Sequence, residues 1–316
     1  MAEVGAMSSV ESSPGIAVRP VTGSIGAEIE GVDLRMDLDD RVVEAIRRAL
    51  LEWKVVFFRD QAIGHAEQIA FARRFGEVTR AHPHLEAVAG FPEILPVDRR
   101  EEVARADNGD YGWHTDVQPS LAPPAFSMLR AEVVPPYGGD TFWTNLVTAY
   151  EALSPPLQRL ADELRAVHQY TVPPGRYLPH RYRERVERID SSALVTEHPI
   201  VRVHPETGEK ALWVTPLFTR QILGLSPLES RRVLDIFFEH VARPEFTVRF
   251  RWQNGSVAFW DNRSTAHRVG DDIKPILAAD ESLERRLFRV TVAGDVPVGP
   301  DGAASVGRRD EVFVTV

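Results

Sequence analysis

The sequence predicts a mainly β fold, an antiparallel sandwich or barrel with helices packed outside it. Three observations carry this expectation. Eight short runs are rich in β-branched and aromatic residues and bounded by Gly, Pro, Asn and Asp: KVVFFR (54–59), EILPV (93–97), AFSMLRAEVV (125–134), HPIVRV (198–203), KALWV (210–214), FTVRFRW (246–252), SVAFWD (256–261) and RLFRVTVAG (286–294). Most of these runs follow one another without an intervening helix, which disfavours a parallel βαβ sheet. Clear helical periodicity is confined to three places.

Each helix has its own signature. DDRVVEAIRRALLEW (39–53) brings Val42, Val43, Ile46 and Leu50 onto one face. SPPLQRLADELRAV (154–167) opens with a Ser N-cap and Pro in the first turn, with Leu157, Leu160 and Leu164 at helical spacing. SPLESRRVLDIFFEHV (226–241) places Ser226 and Glu229 as a capping box ahead of Val233, Leu234, Phe237 and Phe238.

Composition narrows the function. A chain of 316 residues with 43% hydrophobic and 26% charged residues is long enough for a sizeable core. The net charge of −9 opposes a general nucleic-acid binder. With no cysteine, disulfides and thiolate metal sites are excluded, and any metal must be held by His, Asp or Glu. No apolar run approaches the roughly 20 residues of a membrane span. Residues 1–15, small and polar without Lys or Arg, read as a disordered tail rather than a signal peptide. Residues 16–316 read as a single domain without internal repeats. The expectation is a cytoplasmic protein, not bound to membrane or nucleic acid, that forms a homo-oligomer.

The stretch YGWHTDVQPS (111–120) raises a chemical question. On a strand, residues two apart project to one face, so His114 and Asp116 can reach one ion with Thr115 turned away. A third ligand is offered by His267, in WDNRSTAHRVGDD (260–272), which follows the strand SVAFWD after a polar turn, at a strand-end loop. Two histidines and one carboxylate make the facial triad of non-haem Fe(II) sites, which leaves positions open. The bland alternatives are a chance His-x-Asp pair and a surface-loop histidine at 267.

The surrounding segments decide between them. WHTDVQ, PPYGGDTFWTNLVTAYEALS, TEHPIVRVHPETGEKALWV, SVAFWDNRSTAHR and RRLFRVTVAGDVPV resemble the taurine dioxygenase and alkylsulfatase branch of the Fe(II)/2-oxoglutarate-dependent dioxygenases. The resemblance runs from about residue 16 to 298 and implies a double-stranded β-helix (jelly-roll) core. It implies Fe(II) on His114, Asp116 and His267, with 2-oxoglutarate as cosubstrate and O₂ as oxidant. The far carboxylate of 2-oxoglutarate maps onto Thr141 and Arg285, and the anionic head of the substrate onto Arg289, helped by His82. Phe218 falls where the family places an aromatic wall. Strand alternation fits this register, since Arg285, Leu287 and Arg289 share one face and Arg286 points to the other. Arginine suits carboxylate binding because its planar fork binds two oxygens at once.

The implied reaction is hydroxylation of a small, anionic organic substrate, a sulfonate, alkyl sulfate or carboxylate, with release of succinate and CO₂. An aspartate at 116 opposes halogenation, because halogenating relatives carry a small residue there. Two departures bear on the substrate. Asp110 stands where taurine enzymes carry asparagine, and Leu85 or a neighbour replaces their tyrosine. With Trp213 and Phe218, the lost tyrosine points to a body bulkier than taurine. His267 and Arg285 are 18 positions apart, more than the family's usual spacing, and the extra segment 270–284 is expected to loop over the cosubstrate pocket. The basic run 174–188 is expected to be part of a lid. His168, His180 and His198 have no metal-like company. Two other readings stand beside this one: a natural-product tailoring oxygenase whose Asp110 meets an amine, and a cupin-like binding protein, which would have no need of Thr141 and Arg285.

Overall fold

In the computed structural model of the chain, residues 15–83, 85–98, 112–169 and 194–308 are described. The first part runs β1 (Ala17–Pro20), β2 (Ala27–Glu30), α1 (Asp40–Trp53), β3 (Val55–Phe58), α2 (His65–Arg73), β4 (Leu95–Asp98), β5 (Phe126–Val133) and β6 (Thr141–Asn145). The middle comprises α3 (Leu146–Glu151), α4 (Pro155–Glu163), β7 (Arg165–Gln169), β8 (Val195–Pro199), β9 (Val201–Val203), β10 (Lys210–Leu212), β11 (Thr219–Ile222) and α5 (Pro227–Val241). The last part is β12 (Thr247–Phe250), β13 (Val257–Asp261), β14 (Thr265–Val269), α6 (Ile273–Ala279), β15 (Arg286–Val292) and β16 (Val306–Gly307).

A seven-stranded sheet in the order β1-β2-β3-β13-β5-β15-β4 faces a three-stranded sheet in the order β12-β6-β14. All pairings are antiparallel except β2 with β3. Their facing sides interdigitate: Phe57, Leu129, Ala131, Ala258, Trp260 and Leu287 from the large sheet meet Trp143, Val248 and Phe250 from the small one. This is the expected jelly-roll core, as an open sandwich rather than a closed barrel. The outer side of the large sheet carries the alternate residues Val56, Phe58, Met128, Phe259, Phe288 and Val290, buried under Ile46 and Leu50 of α1 and Ile69 and Phe71 of α2. A further core gathers Leu146 of α3, Trp213, and Leu234, Phe237 and Val241 of α5 beside a four-stranded sheet, β11-β7-β8-β16. Among the described residues no helix is long and apolar enough to cross a membrane.

The helix ends follow their sequence signals. Asp39 caps α1 by accepting from Arg41 N at 2.8 Å. Ser226 and Glu229 close the capping box of α5, with Ser226 N donating to Glu229 Oε2 at 2.9 Å. The second expected helix is shorter than its periodicity: it stops at Glu163, and the chain enters β7, whose residues pair with β8 on one side and β11 on the other. Backbone pairing on two flanks outweighs one more helical turn, and Leu160, at helical spacing with Leu157 and Leu164, stays exposed.

Candidate active site

His114 and His267 are joined through their backbones. His267 lies within β14, not in the strand-end loop expected for it, because Thr265–Val269 pairs with Asn145–Thr141 of β6. His114 sits in an isolated bridge to it, with His114 N donating to His267 O at 3.0 Å and His267 N to His114 O at 2.8 Å. Asp116 follows in a turn rather than in a strand. Thr115 is turned away, donating through Oγ1 to Thr265 O at 2.9 Å. The alternation expected for His114 and Asp116 therefore holds although no regular strand carries it.

The three side chains converge: their ligand atoms lie within 4.8 Å of one another. His267 Nε2 is 4.0 Å from Asp116 Oδ1, and the two imidazole rings are 4.2 Å apart between centroids. His114 Nδ1 donates to Gly112 O at 3.2 Å, so Nε2 is the ring nitrogen available to an ion. His267 is held between Trp143, stacked at 6.3 Å, and Trp260, tilted at 4.9 Å. Two imidazoles and one carboxylate converging on one point suit a divalent transition metal.

Asp116 is buried, 2% exposed. Burial alone would raise its pKa. The charge of Arg289, with His267, His114 and the hydrogen bond from Ser127, outweighs that and holds the carboxyl well below the usual carboxylate range. Arg289 Nη1 forms an ion pair with Asp116 Oδ1. Its Nε and Nη2 are buried without a hydrogen-bond partner among the described residues.

The other expected site residues divide into three groups. Arg285 is buried, and its Nη2 donates to Gly139 O at 3.3 Å, two residues before Thr141. Gly139 needs its lack of a side chain: at φ +68° an added Cβ would sit 2.9 Å from Arg285 Nε. Thr141 is buried at the start of β6 and accepts from Trp252 Nε1 at 2.9 Å. Leu287, between Arg285 and Arg289, lies in the inter-sheet core, while Arg286 pairs on the surface with Glu132 at 2.7 Å. Arg285 and Arg289 thus enter the sandwich from one face of β15. Phe218 is buried and meets His114 in a T-shaped contact, 6.3 Å between centroids.

His82 is half-buried in a loop whose start is tied to β15, with Thr79 N donating to Thr291 O at 2.9 Å. It is not among the three side chains that converge. Asp110, His180 and the basic run 174–188 lie outside the described residues. Trp213 is not a pocket wall: it is fully buried, its Nε1 donates to Asn262 O at 3.0 Å, and it packs on His168 and His198. The extra segment before Arg285 is not a loop but contains α6, whose Ile273 and Leu277 are buried. Asp272, its N-cap, accepts from Gly139 N at 3.2 Å, so this helix braces the Gly138–Gly139 turn from outside.

Two residues at the site have no counterpart in the sequence reading. Ser127, mid-strand on β5, donates to Asp116 Oδ2 at 2.6 Å, and Asn262, in the turn after β13, donates through Nδ2 to Ser127 Oγ at 2.8 Å. Asn262 stands inside a quoted motif, but a lone Ser in a strand carries no signal.

Known proteins are similar to this chain in sequence and fold. The sequence model of the taurine catabolism dioxygenase TauD, TfdA family matches residues 17–291. An α-ketoglutarate-dependent sulfate ester dioxygenase of Pseudomonas putida is 43% identical over 293 residues, 91% of this chain and 93% of the relative. An alkylsulfatase of Acinetobacter baylyi is 41% identical over 292 residues, 91% and 88% of the two chains. The crystal structure of a taurine dioxygenase from Burkholderia xenovorans superposes with a TM-score of 0.80 at 48% identity, covering 94% of this chain and 96% of that one. With its sandwich, its His-Asp-His cluster and this extent of similarity, the chain belongs to the TauD/TfdA family of α-ketoglutarate-dependent dioxygenases.

Proposed function

We propose that the chain is an Fe(II)- and 2-oxoglutarate-dependent dioxygenase that hydroxylates a small organic anion, with a sulfate ester or sulfonate favoured over a carboxylate. The observation that carries this reading is the pair of arginines at β15, Arg289 within the strand against Asp116 and Arg285 just before it against the Gly139 turn. The two buried N–H groups of Arg289 that have no acceptor among the described residues suit an anionic head, because a buried donor left unpaired is costly. The relatives named for sulfate esters weigh toward that head group.

His114, Asp116 and His267 would hold the iron. When bound together, iron and 2-oxoglutarate supply the chemistry that activates O₂, oxidises a carbon centre and releases succinate and CO₂. The chain's own residues do the rest. Arg285 and Thr141 fix the far carboxylate of 2-oxoglutarate through charge-assisted and hydroxyl hydrogen bonds. Arg289 already uses Nη1 on Asp116, and Nε and Nη2 remain for an anionic head. Phe218 walls the pocket beside His114 and keeps water from it, and His82 lends a further polar contact to the head.

The test is succinate formation from paired compounds that differ only in the head, an acid against its neutral amide. The acid should react better by about tenfold or more, the worth of one charged hydrogen bond. Arg289→Ala should erase most of that preference. Equal rates for acid and amide in the parent protein would overturn the assignment of Arg289.

A further inference from the structure

Asp116 reaches its neighbours through both oxygens, and the two have different partners. Oδ1 faces His267 Nε2 and Arg289, on the side where the three ligands meet. Oδ2 accepts from Ser127 Oγ at 2.6 Å. Behind Ser127 stands Asn262, and behind Asn262 stands Trp260, whose Nε1 donates to Asn262 Oδ1 at 3.0 Å. All four residues are buried, at most 2% exposed.

The direction of this chain is fixed by donor chemistry. An indole N–H can only donate, so it claims Asn262 Oδ1, which also takes Asp116 N at 3.4 Å. The carboxamide is thereby oriented with Nδ2 toward Ser127. A serine hydroxyl has one proton, and with its oxygen accepting from Asn262 that proton is left for Asp116 Oδ2. Asn262 itself cannot shift, because its N donates to Ala125 O at 2.8 Å and its O accepts from Trp213 Nε1 at 3.0 Å. The preceding Asp261 is clamped by Arg263 at 2.9 and 2.6 Å and by His204 at 3.0 Å.

We infer that Ser127 and Asn262 are positioning residues that occupy one oxygen of Asp116, so that the carboxylate meets the metal through the other alone. The inference rests on the reading of His114, Asp116 and His267 as metal ligands. A relay of this kind sets the orientation of the ligand, and outer partners of metal ligands typically govern affinity by about 10- to 100-fold.

The test is a titration of the chelator-treated full chain with Mn(II), reading free Mn(II) by electron paramagnetic resonance, beside far-ultraviolet circular dichroism and melting of the same samples. The parent should bind one Mn(II), and His267→Ala should lose it. A parent that binds none overturns the ligand reading and this inference together. With parent binding in hand, Ser127→Ala and Asn262→Leu should each weaken Mn(II) about 10- to 100-fold with the spectrum unchanged, and Ser127→Thr, which keeps the hydroxyl, should recover most of the affinity. Parent-like Mn(II) affinity in Ser127→Ala overturns the inference while leaving the ligand reading intact. Should Ser127→Ala not fold, Asn262→Leu decides: parent-like affinity there overturns it, and a loss supports it.

Discussion

At the scale of single residues, the two neighbours Arg285 and Arg286 make the sharpest contrast. Arg285 is buried against the Gly139 turn, and Arg286 pairs with the exposed Glu132. Arg285→Ala should weaken 2-oxoglutarate binding roughly ten- to a hundredfold, while Arg286→Ala should leave it within about twofold. The visible charge-transfer band of the anaerobic Fe(II) complex, titrated with 2-oxoglutarate, reads both; equal losses would displace the register by one residue. That register was legible in the sequence because strand alternation is a period of two and the two arginines are four apart. The His-x-Asp pair was legible for the same reason, reinforced by the surrounding motifs. Ser127 was not, since its role comes from lying next to Asp116 across the fold, 11 positions away in sequence.

At the scale of elements, the departures have one physical source. Runs rich in Val, Ile and Phe announced β3, β5, β12, β13 and β15, whereas β6 and β14 are polar and are strands because each pairs with the other. His267 was therefore expected in a loop and lies instead in a paired strand. The turn between β13 and β14 that aims it is held by charge rather than by apolar packing. Asp261 is fully buried with Arg263 and His204 on its two oxygens, and burial is outweighed by those neighbours, so its pKa lies well below the usual range. Asp261→Asn should cost about 3 kcal/mol in urea unfolding, because it leaves a buried guanidinium with Glu206 as its remaining carboxylate partner. It should also lower Mn(II) affinity. A loss near zero would mean the turn holds itself.

At the scale of the whole molecule, the sandwich was legible and its flanking third layer was not. Beside its apolar core that layer buries polar groups: His168 and His198 are fully buried beside Trp213. Burial is the first cause that pushes the His198 pKa from 6.5 down to about 3, and His168 is pushed well below 6.5 in the same way. Each imidazole is thus neutral when folded and free to take a proton when unfolded. The stability this confers is complete above pH 6.5 and is lost as pH falls from there toward 3. Between about pH 7.5 and about pH 5.5 His198 should remove on the order of 1 kcal/mol and His168 should act in the same direction, before carboxylates contribute. Urea midpoints across that range check it, and His198→Gln should make the profile shallower; an unchanged slope would reject the account.

The reciprocal hydrogen bonds between His114 and His267 tie together segments roughly 150 residues apart in the chain. Closing such a loop costs about 4 kcal/mol of chain entropy, and little is gained until the sheets on both sides are in place. The ligand cluster is therefore expected to assemble late, after the folding barrier has been crossed, which refolding rates with and without Mn(II) would check. A metal that binds it stabilises the finished protein without touching the transition state, so it slows unfolding and leaves the refolding rate alone. Loaded protein should accordingly be long-lived rather than quick to form, its endurance in the cell set by how rarely that one bridge opens.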